Sequence, residues 1–171
     1  DAAGFAAKAC GNIGDACIHA VGADVLAGAC PPPGRRVYVA EVSSYQLASI
    51  RRFTPDVGVF LGVTPDHLAW HGSMEAYADA KWNMLHNLED AGGVAVLDAV
   101  NDVSREQVRR LRRAPEKSGF SYIPVGAKAG ISADMRQVCG AQNAAFLDGA
   151  GHLHVAFLDG EYVLAPSDAL Q

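Results

Sequence analysis

The stretch VGVFLGVTPDHLAWHGSMEAYADAKWNMLHNLEDAGGVAVLD, residues 57–98, places a helix-like segment between two short apolar runs. The runs, Val57–Val63 and Val94–Asp98, have the length of strands buried in a sheet. Between them apolar residues recur at helical spacing over 74–90, with Ser73 as the predicted N-cap and Gly92 and Gly93 past the end. A strand, a helix and a second strand in this order predict a βαβ unit with parallel strands.

The same alternation continues on both sides of this unit. Further strands are predicted at Phe5–Cys10, Arg36–Glu41 and Ser121–Val125, with helices over 14–27 and 101–113. This pattern predicts an α/β fold over 1–126, with a mostly parallel sheet flanked by helices. The triple proline Pro31–Pro33 is predicted to end the first helix, because proline lacks the amide hydrogen that a helix needs.

The pattern of apolar residues and turn residues changes after about Ala127. Two Asp-Gly pairs, Asp148–Gly149 and Asp159–Gly160, separate apolar segments, and such pairs are typical of tight turns between antiparallel strands. Residues 127–171 are therefore predicted to form a small antiparallel β meander. The whole chain, 1–171, is predicted to be a single domain.

Composition excludes several classes of protein. The chain has 171 residues, 50% of them hydrophobic and 19% charged, which suffices for one domain with a core. The net charge of −5 argues against a nucleic-acid partner, and no uncharged run approaches the roughly 20 residues of a membrane-spanning helix. Four cysteines without a C-x-x-C pair favour reduced thiols and a cytoplasmic location.

Candidate chemistry gathers where the predicted strands end. Glu41 follows the run VYVA, and Asp66 and His67 follow the run VGVFLGV. Because ligands bind at the carboxyl ends of parallel strands, Glu41 and His67 are predicted to converge there and to hold a divalent metal. The alternative interpretation of Glu41 is a residue that caps the next helix. His67 and His71 form H-x-x-x-H without the glutamate of zinc proteases, so a zinc hydrolase is disfavoured.

Lys81 lies on the apolar side of the predicted helix, with Met74, Tyr77 and Met84. A half-buried lysine commonly extends its ammonium group to solvent. The alternative is a desolvated amine that reacts as a nucleophile. The spacing leaves both interpretations open.

The segment GNIG, Gly11–Gly14, follows a predicted strand and precedes a predicted helix. Amides in that position can bind an anion, but two glycines alone are a weak signal. The chain contains no G-x-x-x-x-G-K-[ST] phosphate loop.

Taken together, GNIG, EVSSYQL and VTPDHLAWHGSMEAYADAK resemble, in order and spacing, the central domain of the Mur ligases. These are ATP-dependent amide-bond ligases of peptidoglycan precursor synthesis. HGSMEAYADAK is similar to the diaminopimelate- or lysine-adding branch, whereas GNIG and Tyr45–Gln46–Leu47 resemble the D-glutamate-adding branch. The resemblance implies a P-loop-NTPase-like fold, ATP and Mg²⁺ as cofactors, and UDP-N-acetylmuramoyl-L-alanine and D-glutamate as substrates joined through an acyl phosphate.

The resemblance also implies roles for individual residues. Glu41 and His67 would be magnesium ligands, and Lys81 would be the lysine that the family carbamylates, which turns a cation into an oxygen-donating anion. His67 and Lys81 are thus the implied catalytic residues. The implied contacts to the UDP-muramoyl substrate are Asn12, Ser43, Ser44 and Gln46.

The sequence departs from the family pattern at three places. The upstream phosphate loop and the downstream amino-acid-binding domain are missing, which predicts a fragment that is inactive and binds ATP weakly by itself. Ala69–Trp70 replaces Asp-Arg, and Asp98–Asp102 alters the stretch NADD. The alternatives are the diaminopimelate- or lysine-adding ligase, a folylpolyglutamate synthase relative, and a non-catalytic α/β binding module descended from such an enzyme.

Overall fold

The computed structural model describes residues 5–28, 36–86, 88, 92–113, 121–126, 144–147, 150–157 and 160–166. The chain divides into two compact units, Asp1–Ser49 and Ile50–Gln171. The predicted turns at Pro31–Pro33 and Asp148–Gly149 lie outside the described residues, as does Asp159.

The first unit is a strand–helix–strand arrangement followed by a short helix. It consists of β1 (Ala6–Gly11), α1 (Cys17–Leu26), β2 (Arg36–Glu41) and α2 (Ser44–Ser49). The two strands pair in parallel, as the sequence predicts, and their last residues, Gly11 and Glu41, lie opposite each other. Helix α1 packs on β1, where Lys8 Nζ donates a hydrogen bond to the Ala20 carbonyl at 3.3 Å.

A polar triad ties α1 to β2 in this unit. The Tyr38 hydroxyl donates to Asp24 Oδ2 at 2.6 Å, and the Arg36 guanidinium forms an ion pair with the same carboxylate. The hydrogen bonds from Arg36 and Tyr38 lower the pKa of Asp24. The hydrogen bond to Asp24 raises the pKa of Tyr38, because the hydroxyl must keep its proton to donate.

The second unit contains a mixed six-stranded sheet. In chain order its elements are β3 (Val57–Phe60), α3 (Leu68–His71), α4 (Met74–Trp82), a 3₁₀ turn (Asn83–Leu85), β4 (Val94–Asp98), α5 (Asp102–Arg113), β5 (Ser121–Gly126), β6 (Ala144–Leu147), β7 (His152–Phe157) and β8 (Gly160–Pro166). The strands lie side by side in sequence order. Pairing is parallel from β3 to β6 and antiparallel from β6 to β8. The predicted parallel sheet and the predicted antiparallel meander are thus both confirmed.

The core of the second unit forms where α4 and the 3₁₀ turn cover β3 and β4. Phe60 and Leu97 are buried from the two strands, together with Leu85 and Leu88 from the helical side. A Cβ at Gly58 would lie 2.6 Å from Leu85, so this glycine lets the helical side chains approach the strand. Phe60 also meets Trp82 edge to face, with ring centroids 5.1 Å apart.

Two predicted elements end early, and the first helix, predicted over 14–27, begins only at Cys17. The strand predicted over Val57–Val63 ends at Phe60, because Gly62 has a φ of 98° and turns the chain out of the strand conformation. The helix that starts after Ser73 ends as an α-helix at Trp82 and continues as the 3₁₀ turn. Strand β3 also buries only alternate residues, leaving Val57 and Val59 exposed, where the apolar run predicts burial throughout. In the described part of the chain, no helix is long and apolar enough to cross a membrane.

Candidate functional site

The loop after β3 carries His67 in an unusual backbone conformation. With a φ of 52°, His67 is the one described residue other than glycine in the left-handed region, and it directly precedes α3. Its backbone N–H donates to Asp66 Oδ1 at 2.7 Å, and its Nε2 lies 3.3 Å from Asp66 Oδ2. Asp66 thereby holds both the backbone and the ring of His67, as carboxylates do behind metal-binding histidines.

Three candidate residues lie next to the ring of Tyr77. Its centroid lies 6.2 Å from that of His67, 5.1 Å from that of His71 and 5.5 Å from Lys81 Nζ. Tyr77 is buried and belongs to the core, as its place on the apolar side of the predicted helix indicates. The structure therefore brings His67 and Lys81 to one aromatic ring, although they come from different elements.

Lys81 reaches this ring because of the register of α4. Ser73 caps the helix, accepting a hydrogen bond from the Ala76 N–H at 3.1 Å, so Tyr77 and Lys81 lie one turn apart on the same side. Lys81 is half-buried, and its amine lies within the distance of a cation–π contact to Tyr77. The amine is thus held at the ring that His67 also contacts.

Asn101 joins the loops that follow β3 and β4, and it was not among the predicted site residues. Its Nδ2 donates to the Val63 carbonyl at 2.9 Å, while its Oδ1 accepts from the N–H groups of Val103 and Ser104 at 3.1 and 3.3 Å. Asn101 is therefore both the N-cap of α5 and a tie to the loop that leads to His67. An asparagine just before a predicted helix was a visible sign of the cap, but not of the bond to Val63.

The end of β2 and the start of α2 contain the other candidate residues. Ser43 Oγ accepts from the Gln46 N–H at 3.3 Å, and the Ser43 N–H donates to Gln46 Oε1 at 2.9 Å. This reciprocal pair is a capping box, which gives Ser43 and Gln46 a structural role. Ser44 is buried.

Asn12 lies beside Glu41 at the end of the paired strands β1 and β2. The Asn12 N–H donates to the Glu41 carbonyl at 2.7 Å. A Cβ at Gly11, whose φ is 120°, would overlap the Glu41 carbonyl oxygen, so glycine is required for this close approach. The structure brings Asn12 and Glu41 together, and both side chains are exposed.

The metal ligands implied by the resemblance come from both units. Glu41 belongs to the first unit and His67 and Lys81 to the second, and their convergence stays a prediction. Among the described residues, no group of three or more His, Cys, Asp or Glu side chains is arranged to hold a metal ion. Lys81 falls outside those residue types and would join such a group only after carbamylation.

Known proteins match most of the chain. The family model described as the Mur ligase middle domain matches residues 20–148. Curated relatives named UDP-N-acetylmuramoylalanine--D-glutamate ligase include those of Rhodopseudomonas palustris strain HaA2 (33% identical, covering 92% of this chain and 30% of the relative), Nocardia farcinica (35%, covering 76% and 24%) and Bordetella pertussis (40%, covering 58% and 20%). The chain thus spans less than a third of the length of these relatives. With a family match over well more than half of its residues, the chain belongs to the Mur ligase family and corresponds to its middle domain.

Proposed function

We propose that this chain is the central domain of an ATP-dependent ligase that joins D-glutamate to UDP-N-acetylmuramoyl-L-alanine in peptidoglycan precursor synthesis. The names of the relatives support this substrate pair. The structural observation that supports it best is the Tyr77 ring, which His67 and the Lys81 amine both contact. We further propose that the domains completing the substrate sites lie in the rest of a longer protein.

The donor chemistry of the candidate residues fits Mg²⁺. Glu41 offers carboxylate oxygens, and His67 offers an imidazole that Asp66 orients. A carbamate on Lys81 would replace a cation by a second anionic oxygen donor. Bound Mg²⁺ would neutralise the charge that builds up on ATP and on the acyl phosphate.

The position of Lys81 supports carbamylation. The half-buried side chain holds its amine beside the Tyr77 ring that His67 also contacts, so a carbamate would form next to the proposed imidazole ligand. The Ser73 cap fixes the register of α4 and hence the position of the amine. In this proposal Lys81 supplies an oxygen ligand rather than a positive charge.

Asn12, Ser43, Ser44 and Gln46 are proposed contacts of the UDP-muramoyl substrate. Asn12 and Gln46 are exposed at the carboxyl ends of β1 and β2, the edge at which α/β sheets bind ligands. The capping box holds Ser43 and Gln46 in place before any substrate arrives. We place the reaction in the cytoplasm, whose reducing conditions suit the free thiols of Cys10 and Cys17.

The decisive experiment replaces Lys81 in the complete ligase. Lys81→Ala is expected to abolish D-glutamate ligation, and a short carboxylic acid such as acetate should restore part of it by standing in for the carbamate. Lys81→Arg keeps the positive charge but cannot be carbamylated, so it should be equally inactive. Asp79→Ala, an exposed change on the same helix, is the matched control and should keep normal turnover.

The result also separates the proposal from its alternatives. Near-normal turnover of Lys81→Arg would reduce Lys81 to a lysine that merely extends to solvent. Ligation of diaminopimelate or lysine in place of D-glutamate would assign the chain to that branch of the family, and addition of glutamate to a folate would assign it to the folylpolyglutamate synthases. A complete protein that ligates none of these would indicate a non-catalytic binding module.

A further inference from the structure

Cys10 and Cys17 flank the Gly11–Ala16 loop and have no role in the proposed reaction. Cys10 lies near the end of β1 and is 2% exposed, while Cys17 is the first residue of α1 and is half-buried. The loop between them is closed by a hydrogen bond from the Gly11 N–H to the Asp15 carbonyl at 2.8 Å. The strand end and the helix start are therefore held close together.

The backbone arrangement places Cys10 and Cys17 on facing sides of β1 and α1. Lys8 and Cys10 lie on the same side of β1, and Lys8 reaches the carbonyl of Ala20, a buried residue one turn after Cys17. Burial, and then the side chain of Cys17 beside it, raise the pKa of Cys10. Cys17 is the more exposed of the two thiols, so it meets a reagent first.

We propose that Cys10 and Cys17 form a redox modification site, in which hydrogen peroxide or a similar small peroxide converts the thiol pair into a reversible disulfide across the Gly11–Ala16 loop.

The peroxide is the two-electron oxidant of this reaction. The Cys17 thiolate attacks one peroxide oxygen, the O–O bond breaks, and protonation of the departing hydroxide gives water and a sulfenic acid on Cys17. Cys10 then attacks the Cys17 sulfur, the S–O bond breaks, and a second water leaves with the proton of Cys10. Two thiols are oxidised to one disulfide, and one peroxide is reduced to two waters. A dithiol reductant reverses the change.

A functional consequence rests on the proposed function. Asn12, a proposed substrate contact, lies within the loop that the disulfide would close. Its N–H bonds the Glu41 carbonyl, and a covalent closure between residues 10 and 17 would restrict how this segment adjusts to the nucleotide-sugar. Oxidation of the complete ligase should therefore raise its KM for the UDP-muramoyl substrate several-fold, and dithiothreitol should restore the original value.

The modification itself is tested without any activity assay. In the Cys30→Ser/Cys139→Ser background, Cys10 and Cys17 are the remaining cysteines of the chain. The reduced protein is treated with hydrogen peroxide, blocked with N-ethylmaleimide, denatured and cleaved before Asp15 by an aspartate-directed protease. Because this cut falls between the two cysteines, a disulfide appears in the mass spectrum as two linked peptides that separate on reduction.

The expected result is the linked pair, with both cysteines protected from N-ethylmaleimide. Cys17→Ser should lose the link. Cys10→Ser should accumulate a Cys17 sulfenic acid that dimedone traps several-fold more than in the background protein, because the resolving thiol is gone. Folded protein whose cysteines are both alkylated, or whose Cys17 proceeds to sulfinic acid without a linked peptide, would overturn the proposal. A linked protein with an unchanged KM would contradict the regulatory consequence alone.

Discussion

The two units of the chain repeat one motif, a strand, a helix and a parallel strand, but they stabilise it differently. Around α4 the second unit buries large apolar side chains, and Leu97 and Leu88 are fully enclosed. Around α1 the first unit leaves Leu26 90% exposed and ties its helix down through Asp24, Arg36 and Tyr38. Apolar burial depends little on pH, whereas a carboxylate tie depends on its charge. The two units share this topology but should thus differ in how much stability they lose when a side chain is truncated or when the pH falls.

The largest expected effect comes from shortening a buried side chain in the core of the second unit. Leu97→Ala should lower the free energy of unfolding by about 2–5 kcal/mol, because it removes buried methyl groups and leaves a cavity. Urea unfolding followed by circular dichroism measures the loss in either unit, and tryptophan fluorescence reports the second unit, to which Trp70 and Trp82 both belong. The counterpart Leu26→Ala in α1 should change the unfolding free energy by less than about 0.5 kcal/mol. Equal losses in the two variants would refute the comparison.

Asn101 tests a side-chain hydrogen bond within the second unit, which is otherwise stabilised mainly by apolar burial. Asn101→Ala should lower the free energy of unfolding by about 2 kcal/mol, since it removes the cap of α5 and leaves the Val63 carbonyl without its donor. Asn101→Asp retains the capping oxygen and should cost less than Asn101→Ala. The same fluorescence measurement distinguishes them. If Asn101→Asp were as unstable as Asn101→Ala, the bond to Val63 would be the dominant contribution and the cap a minor one.

Ser73 tests a local contribution to the same unit. Ser73→Ala should lower the free energy of unfolding by about 1 kcal/mol, because the Ala76 N–H loses its acceptor. Ser73→Asp supplies another capping oxygen and serves as the control, with stability close to that of the original protein. A Ser73→Ala protein with an unchanged urea midpoint would show that packing alone sets the start of α4.

The smallest effect is the acid response of the first unit. The folded-state pKa of Asp24 lies below its ordinary value, so its contribution to stability is present above about pH 4 and is lost as the pH falls through the lowered pKa. Tyr38 acts in the opposite direction, because its raised pKa gives stability below about pH 10 that is lost at higher pH.

The protection of the buried Cys10 thiol reports on this unit. In the Cys17→Ser/Cys30→Ser/Cys139→Ser background it can be measured with 4,4′-dithiodipyridine, which reacts with thiols at acid pH. The protection of Cys10 from the reagent should decrease as the pH is lowered. This decrease should be smaller in Asp24→Asn, because the substitution removes the titrating group. An equal decrease in both proteins would assign the acid sensitivity to other carboxylates.

The regular elements were predictable because their signals are local. Arg36–Glu41 and Val94–Asp98 are strands with the predicted bounds, and Ser73 is the predicted cap, since each depends on its own side chains and near neighbours. The gathering of His67 and Lys81 at Tyr77 could be predicted only in part. It depends on the loop after β3 folding back onto α4, which no periodicity encodes.

Tertiary contacts account for the other differences. The bond between Asn101 and Val63 joins residues 38 positions apart, and its donor was visible in the sequence only as a helix cap. The early end of β3 follows from the conformation of Gly62, which lies within an otherwise continuous apolar run. Lys81 matched two interpretations by spacing. Its place beside Tyr77 follows from the helical register, whereas the approach of His67 to the same ring is a tertiary contact.

The left-handed backbone conformation of His67 lowers thermal stability at a position that the proposed activity requires. A non-glycine residue in that conformation costs about 1–2 kcal/mol, a cost that glycine largely avoids. A screen for heat resistance alone would therefore favour His67→Gly, because the relief of backbone strain offsets the lost ring contacts. The same substitution deletes the imidazole proposed to bind magnesium. Stabilised variants of the complete ligase should accordingly be screened for turnover as well as melting temperature at this position.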